Sequence, residues 1–309
     1  MKKGIFFSIL SIILVTMLIS GIFIAVNYEL SDNFDNEKKQ IQIMNRIVKN
    51  IDNDLGKAAH IITFRALLAQ LTRITENGTY INDYEEAFNE LAFNGTLYGE
   101  ANEFMENNTF YVWLNNFNER IKNSNFEINL EFIDFTVTQN SPWTIEGVIS
   151  TNLSLTHKKG YASWNKVLNS TESISLIGFE DPISTVETYG RILLSIEPSN
   201  VTNWDASQVK NAMETGIFIA SNRGSNYLNR LEGSLSPNSN GIEYFVNPSD
   251  LSGAGLEALI YNRSYVDHEY WGSSEPTIYS ISGITNSGYP TFKLDNETVY
   301  AYNLENNTY

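Results

Sequence analysis

Acid–base or metal chemistry in this chain would have to be built from three histidines and the carboxylates, because there is no cysteine. That absence removes disulfides, thiolate metal sites and cysteine nucleophiles together. His268 has ligand-type neighbours in Asp267-His268-Glu269, yet neither it nor His157 belongs to a His-x-His or His-x-x-x-His pair aimed at one ion. Glu180 and Asp181 are adjacent beside Pro182. Adjacent residues on an extended chain point to opposite faces, so a strand-ending turn is expected there rather than a paired acid and base. Serine is plentiful, but the Gly-x-Ser-x-Gly elbow of a hydrolase nucleophile does not occur. Asp295-Asn296-Glu297 offers acids for a weak calcium contact without the Asp/Asn-x-Asp ladder of a defined calcium loop. The chain therefore reads as a non-enzyme, with no catalytic residue, cofactor or metal site assigned.

A second kind of chemistry has more support. Asn-x-Ser/Thr sequons begin at Asn77, Asn94, Asn107, Asn152, Asn169, Asn200, Asn262, Asn296 and Asn306, a modest excess over chance for this composition. None lies in the apolar leading segment or on the helical stripe that follows, where a bulky sugar would block burial. They are candidate glycosylation sites on an outward-facing head.

The elements that would position such a head begin at the N-terminus. Met1-Lys2-Lys3-Gly4 precedes an uncharged run from Ile5 to Val26, and Glu29, Asp32 and Asp35 come after it. At 1.5 Å of rise per residue the run makes a helix of roughly 33 Å, enough to cross a hydrocarbon core of about 30 Å. Lysines on the short leading side and acids after the span predict a cytoplasmic N-terminus and an extracytoplasmic bulk at the cell membrane. A secretory signal peptide also starts with lysines and an apolar stretch, but its core is shorter and an Ala-x-Ala cleavage site does not follow here. Gly21 and Ala25 are four apart in the span, as are Thr16 and Ser20, a spacing that lets another helix approach closely.

Composition bounds the remainder. With 309 residues, 42% apolar, 13% aromatic and 18% charged, the chain has material for a folded ectodomain. The net charge is −16, and −18 once Lys2 and Lys3 are set aside, which argues against nucleic acid as a partner. Without disulfides, such an ectodomain depends on core packing and on assembly with neighbours.

All seven prolines lie beyond residue 141, so the first 141 residues are free to be largely helical. Met44, Ile47, Val48, Ile51, Leu55, Ala58, Ala59, Ile62, Ala66 and Leu71 fall three or four apart and predict an amphipathic helix, with Gln70 among the residues of its wetter flank and Asn77-Gly78 as its stop. Asn82, with Glu85 three residues on, predicts a capped helix to Leu91, and Phe110 to Ile121 predicts another. The period then becomes two. Phe126 to Phe132 alternate on one parity and Ile133 to Val137 on the other, as in a strand whose register a bulge resets. A clean alternating strand follows Pro142, and Lys158-Lys159-Gly160 turns into strands at 161–168 and 173–177. Farther on, strands are expected at 192–196, 242–246 and 277–281, and a helix capped by Asp205.

The expected fold is α+β: a leader (1–4), a transmembrane helix (5–26) and a packing helix (27–76) on an antiparallel sheet in a head (77–180), then a mostly β extension (181–309). An amphipathic helix and a sheet with one apolar face each lack a partner, and each supplies the other's.

The short basic leader ending in Gly4, the spanning helix that becomes amphipathic and the β-rich head resemble the type IV pilin-like proteins of archaea. The resemblance covers about the first 75 residues by pattern and the remainder by architecture. It implies peptidase cleavage after Lys3-Gly4, with Ile5 as the new first residue. Two positions depart from the family pattern: Ile9 stands where a glutamate is common, and Phe6 is bulky for its place. Gly178-Phe179-Glu180-Asp181-Pro182, Tyr227 to Gly233 and Gly241 to Asn247 also resemble stretches of archaeal surface proteins with this leader.

Two functions are therefore expected in order. The first is a structural or adhesive surface subunit whose partners are membrane lipid, other pilin-like subunits and surface glycans. The alternative is an anchored ectodomain that binds or processes carbohydrate through its 17 tyrosines and five tryptophans. An exposed row of aromatic rings, or a deep pocket with converging acids, would favour the second.

Overall fold

The computed structural model describes residues 2–256, 263–272 and 276–309, and only the backbone for 2–16, 18–19 and 21–37. A single helix, α1, runs from Lys2–Asn77, about 114 Å at 1.5 Å per residue. It stops at Gly78, whose φ of +63° takes the left-handed conformation glycine adopts freely and whose N–H donates to the Ile74 carbonyl at 2.8 Å. The predicted stripe is buried from Met44 through Val48, Ile51, Leu55, Ala59, Ile62 and Ala66 to Leu71, with Ile47 half-buried, and Ile74 extends it by one turn. Gln70 joins that stripe rather than the wetter flank: it is 0% exposed. Among the described residues no helix is long and apolar enough to cross a membrane, and the expected span, 5–26, falls almost entirely on side chains outside that set.

After the turn come α2 (Tyr84–Asn94), a small hairpin of β1 (Thr96–Leu97) and β2 (Glu100–Ala101), and α3 (Phe110–Ile121). The cap of α2 is Asp83, one residue later than expected. Its carboxylate accepts from the Glu86 N–H at 2.9 Å, while the Asn82 N–H donates to the Tyr98 hydroxyl at 3.1 Å.

The central sheet is an antiparallel meander in the order β3 (Phe126–Ser141), β4 (Thr144–His157), β5 (Ser163–Ser175). The register of β3 against β4 shifts between Phe132 and Asp134. Ile133 is the extra residue, 58% exposed, and the bulge returns Phe135 and Val137 to the buried face occupied by Leu130. On β4, Ile145, Ile149, Thr151, Leu153 and Leu155 are buried, as their parity predicts. The two strands expected after the Lys158-Lys159-Gly160 turn are one strand, because β5 pairs with β4 without interruption from Ser163 to Ser175. The polar stretch that suggested a break includes Ser170, whose hydroxyl donates to the Asp52 carboxylate on α1 at 2.7 Å. Helix α1 packs on β4 and β5, giving a long helix laid on an antiparallel sheet in an α+β fold.

The described residues of 181–309 are not mostly β. They form α4 (Pro182–Glu187), α5 (Ala206–Thr215), β6 (Ile219–Ala220), α6 (Tyr227–Leu231), β7 (Ile242–Glu243), α7 (Pro248–Gly253), α8 (Asp267–Tyr270), β8 (Ile278–Ser280), β9 (Lys293–Asp295) and α9 (Asn296–Ala301). Asp181-Pro182, expected to be a turn, and Asn247-Pro248 each place a capping side chain before a proline at the first helical position. The expected strand at 192–196 makes only an isolated bridge, Glu180 with Ser195. Asp205 caps α5 as predicted, accepting from the Gln208 N–H at 2.8 Å.

One continuous apolar core runs from Met44 to Leu304. Hydrogen bonds stitch the two halves along it: Ile81 N–H to the Leu231 carbonyl at 2.9 Å, Tyr84 N–H to the Glu232 carboxylate at 2.9 Å, and Leu228 N–H to the Gln139 side-chain carbonyl at 3.3 Å.

Candidate functional site

Lys3, Gly4 and Ile5 lie in the first turns of α1, with Gly21 and Ala25 further along it, and the side chains of all five fall outside the described set. Of the sequon asparagines, Asn262 lies outside the described residues. The other eight, at 77, 94, 107, 152, 169, 200, 296 and 306, are all exposed. Asn152 and Asn169 are exposed on neighbouring strands of the sheet, where Asn169 pairs with Ser150 on β4. Residues at i and j±2 on one face are close neighbours, so two sugars there would crowd the outer sheet surface.

The most built polar site is elsewhere, and it is sealed. Arg230, on α6, is 0% exposed and is held by Asp181 at 2.6 and 3.1 Å and by Asp267 at 2.7 Å. The forked contact with Asp181 is the bidentate geometry that makes guanidinium the preferred cation for a carboxylate. The rings of Phe218 and Tyr244 lie 6.0 and 5.9 Å from its guanidinium carbon. Asp181 also accepts from the Ser184 N–H at 2.7 Å as the cap of α4. Beside this cluster, Glu243 is fully buried, accepting from Arg223 at 2.5 Å and from the Tyr302 hydroxyl. Asp295 is buried against Ser264 and Thr298.

Electrostatics follow from this enclosure. Burial alone would raise the Asp267 carboxyl, but the Arg230 guanidinium overrides it and holds the group below its ordinary value. Burial alone would lower His268, but the Asp267 carboxylate, with Glu243 behind it, raises it. The His268 Nδ1 lies 3.5 Å from Asp267 and 3.6 Å from Glu243. One oxygen of Glu243 and the His268 Nδ1 have no closer partner. Two guanidinium groups thus face three carboxylates, and protonated His268 would balance the charge.

Asp181, Asp267 and Glu243 converge, but on Arg230 and Arg223 rather than on an open space. The neighbouring cavity, lined in part by Thr188, Tyr244, Asp250 and Trp271, holds about 20 Å³, room for roughly one water. Such a site orders the fold around it; it has no room for a substrate. His157 is far from it, 4% exposed and packed edge-on against Phe126 with ring centroids 5.2 Å apart. Among the described residues no group of three or more acids and histidines is arranged to hold a metal ion.

Sequence reasoning treated Glu180-Asp181 as a turn and assigned nothing to Arg230. The signal that existed was the set of three segments around Asp181, Arg230 and Glu243, which the structure brings into this one cluster. The aromatic rings likewise go mainly inward. Trp204, Phe245, Phe292 and Tyr302 form one packed group, and Phe93, Phe110, Phe132 and Phe135 another. No family model, curated protein or solved structure matches the chain.

Proposed function

We propose that the chain is a membrane-anchored, extracytoplasmic structural or adhesive subunit of pilin-like type. In this reading Ile5 to Val26 is the transmembrane helix, Lys3-Gly4 the processing site, and the head a polar, glycosylated surface. Its partners are membrane lipid, other such subunits and surface glycans.

One observation carries the reading. A single helix continues from the apolar leading segment to Asn77, and its second half supplies the central stripe of the head's core, buried from Met44 among the described side chains. An anchor and a head joined by unbroken helix cannot swivel as they would on a flexible linker, which suits a part that must hold its head at fixed orientation in an array. The alternative, an ectodomain that processes carbohydrate, calls for acids around an open pocket, and the converging acids here are closed over.

Mass spectrometry of the mature N-terminus, on protein extracted from the membrane fraction of native cells, tests the proposal. A chain beginning at Ile5 supports it. A soluble chain cut near Val26 would overturn both the anchor and the filament role.

A further inference from the structure

We propose that the groove between α1 and the start of α3 is the seat of the first sugars of an N-linked glycan carried on Asn107. This rests on the extracytoplasmic reading above, and it adds a bound conformation for the sugar. The groove holds about 130 Å³ and is lined by Ile61, Asn107, Asn108, Trp113 and Asn116, among others. Its chemistry is that of carbohydrate recognition. An indole offers a flat apolar face for the C–H side of a pyranose, and side-chain amides offer donors and acceptors for its hydroxyls.

Trp113 is half-buried, and Phe117 stacks on it nearly parallel, with centroids 5.4 Å apart and planes 10° apart, which fixes the ring's orientation. Ile61 leaves 48% of its surface exposed beside it, apolar area that a sugar ring would cover. The occupant is argued from the sequon itself. Asn107 is exposed, stands at φ +60° and lines the groove, so a sugar on its amide starts at the groove's rim. Asn169 also borders a groove, with Asp52, Asn53 and Glu172, but no ring lines that one.

The covalent step is ordinary N-glycosylation. The Asn107 amide nitrogen bonds to the anomeric carbon of a sugar carried on a lipid phosphate. The sugar–phosphate C–O bond breaks with its electron pair on the phosphate, and the amide loses one proton to the transferase's base.

The test is hydroxyl-radical footprinting read by mass spectrometry at each tryptophan, on the full chain purified from glycosylating native cells. Wild type is compared with Asn107→Asp and Asn107→Gly, both compatible with a positive φ, and with Asn152→Gln as a control for loss of a different sugar. Expected is a sugar on the Asn107 peptide and Trp113 oxidation at least about threefold lower in wild type than in either 107 variant, as when a ligand covers most of an exposed surface. Trp204 and Trp271 should be unchanged, and Asn152→Gln should match wild type. An unmodified Asn107, or equal Trp113 oxidation with Asn107 occupied, overturns the proposal. Sugars at other sequons with Asn107 bare would sink the groove assignment alone. No sugar at any sequon in a chain without a membrane anchor would sink the extracytoplasmic reading with it.

Discussion

A β-carbon built onto Gly147 would lie 2.1 Å from the hydroxyl oxygen of Thr63 and 3.1 Å from its β-carbon. Helix α1 and strand β4 therefore touch at a distance only glycine permits, and the Thr63 hydroxyl is tied back to the Ala59 carbonyl at 2.7 Å. Gly147→Ala should cost about 1–3 kcal/mol by overpacking, and pairing it with Thr63→Ala should return much of that. Urea unfolding of the two single variants and the double variant gives the coupling. Strict additivity would mean that helix and sheet do not press on each other there.

Arg230→Met should destabilise the fold by about 3–5 kcal/mol, because it leaves Asp181 and Asp267 buried without their cation. Adding Asp181→Asn and Asp267→Asn should recover part of the loss, since uncharged amides are cheaper to bury than unpaired carboxylates. Thermal melts of the series decide it, and a single variant as stable as wild type would show the cluster to be dispensable.

Stability should depend on pH through His268. Its folded value is raised, so its contribution is complete below the unfolded value of about 6.5 and disappears as pH climbs through the folded value. Asp267 runs the other way. Its folded value is depressed, so its contribution is present above about 3.9 and is lost as acid is added. Denaturation midpoints for wild type should decline from about pH 6.5 upward, and His268→Gln should flatten that decline while leaving the acid limb. Parallel profiles for the two proteins would exclude His268 as the titrating group.

If the proposed membrane helices bundle, Gly21→Leu should impair assembly by keeping neighbouring helices apart, while membrane insertion is unaffected because leucine is more apolar than glycine. Filament yield and crosslinking between α1 helices measure it. Unchanged values in both would remove the close-packing role of Gly21 and Ala25.

Periodicity alone made the helix and the meander legible. The spacing of Met44 to Ala66 and the alternation of β4 each report one buried face, and the parity switch at Ile133 marked the bulge where it occurs. Local signals were read less well where one residue type serves two purposes. Asp-Pro marks a turn as readily as a helix start, so the helix that Asp181 caps is not apparent from Glu180-Asp181-Pro182, while the strands expected at 242–246 and 277–281 shrink to Ile242–Glu243 and Ile278–Ser280.

What no window of sequence could supply was the meeting of Arg230 with Asp181 and Asp267, residues 49 and 37 positions away. Nor could it supply the burial that makes their pairing matter. A side chain's periodicity is set by its own backbone and survives in any local stretch of chain. A charge's partner, and how much water is left around it, are set by distant segments closing on the same point, and only the folded structure brings those together.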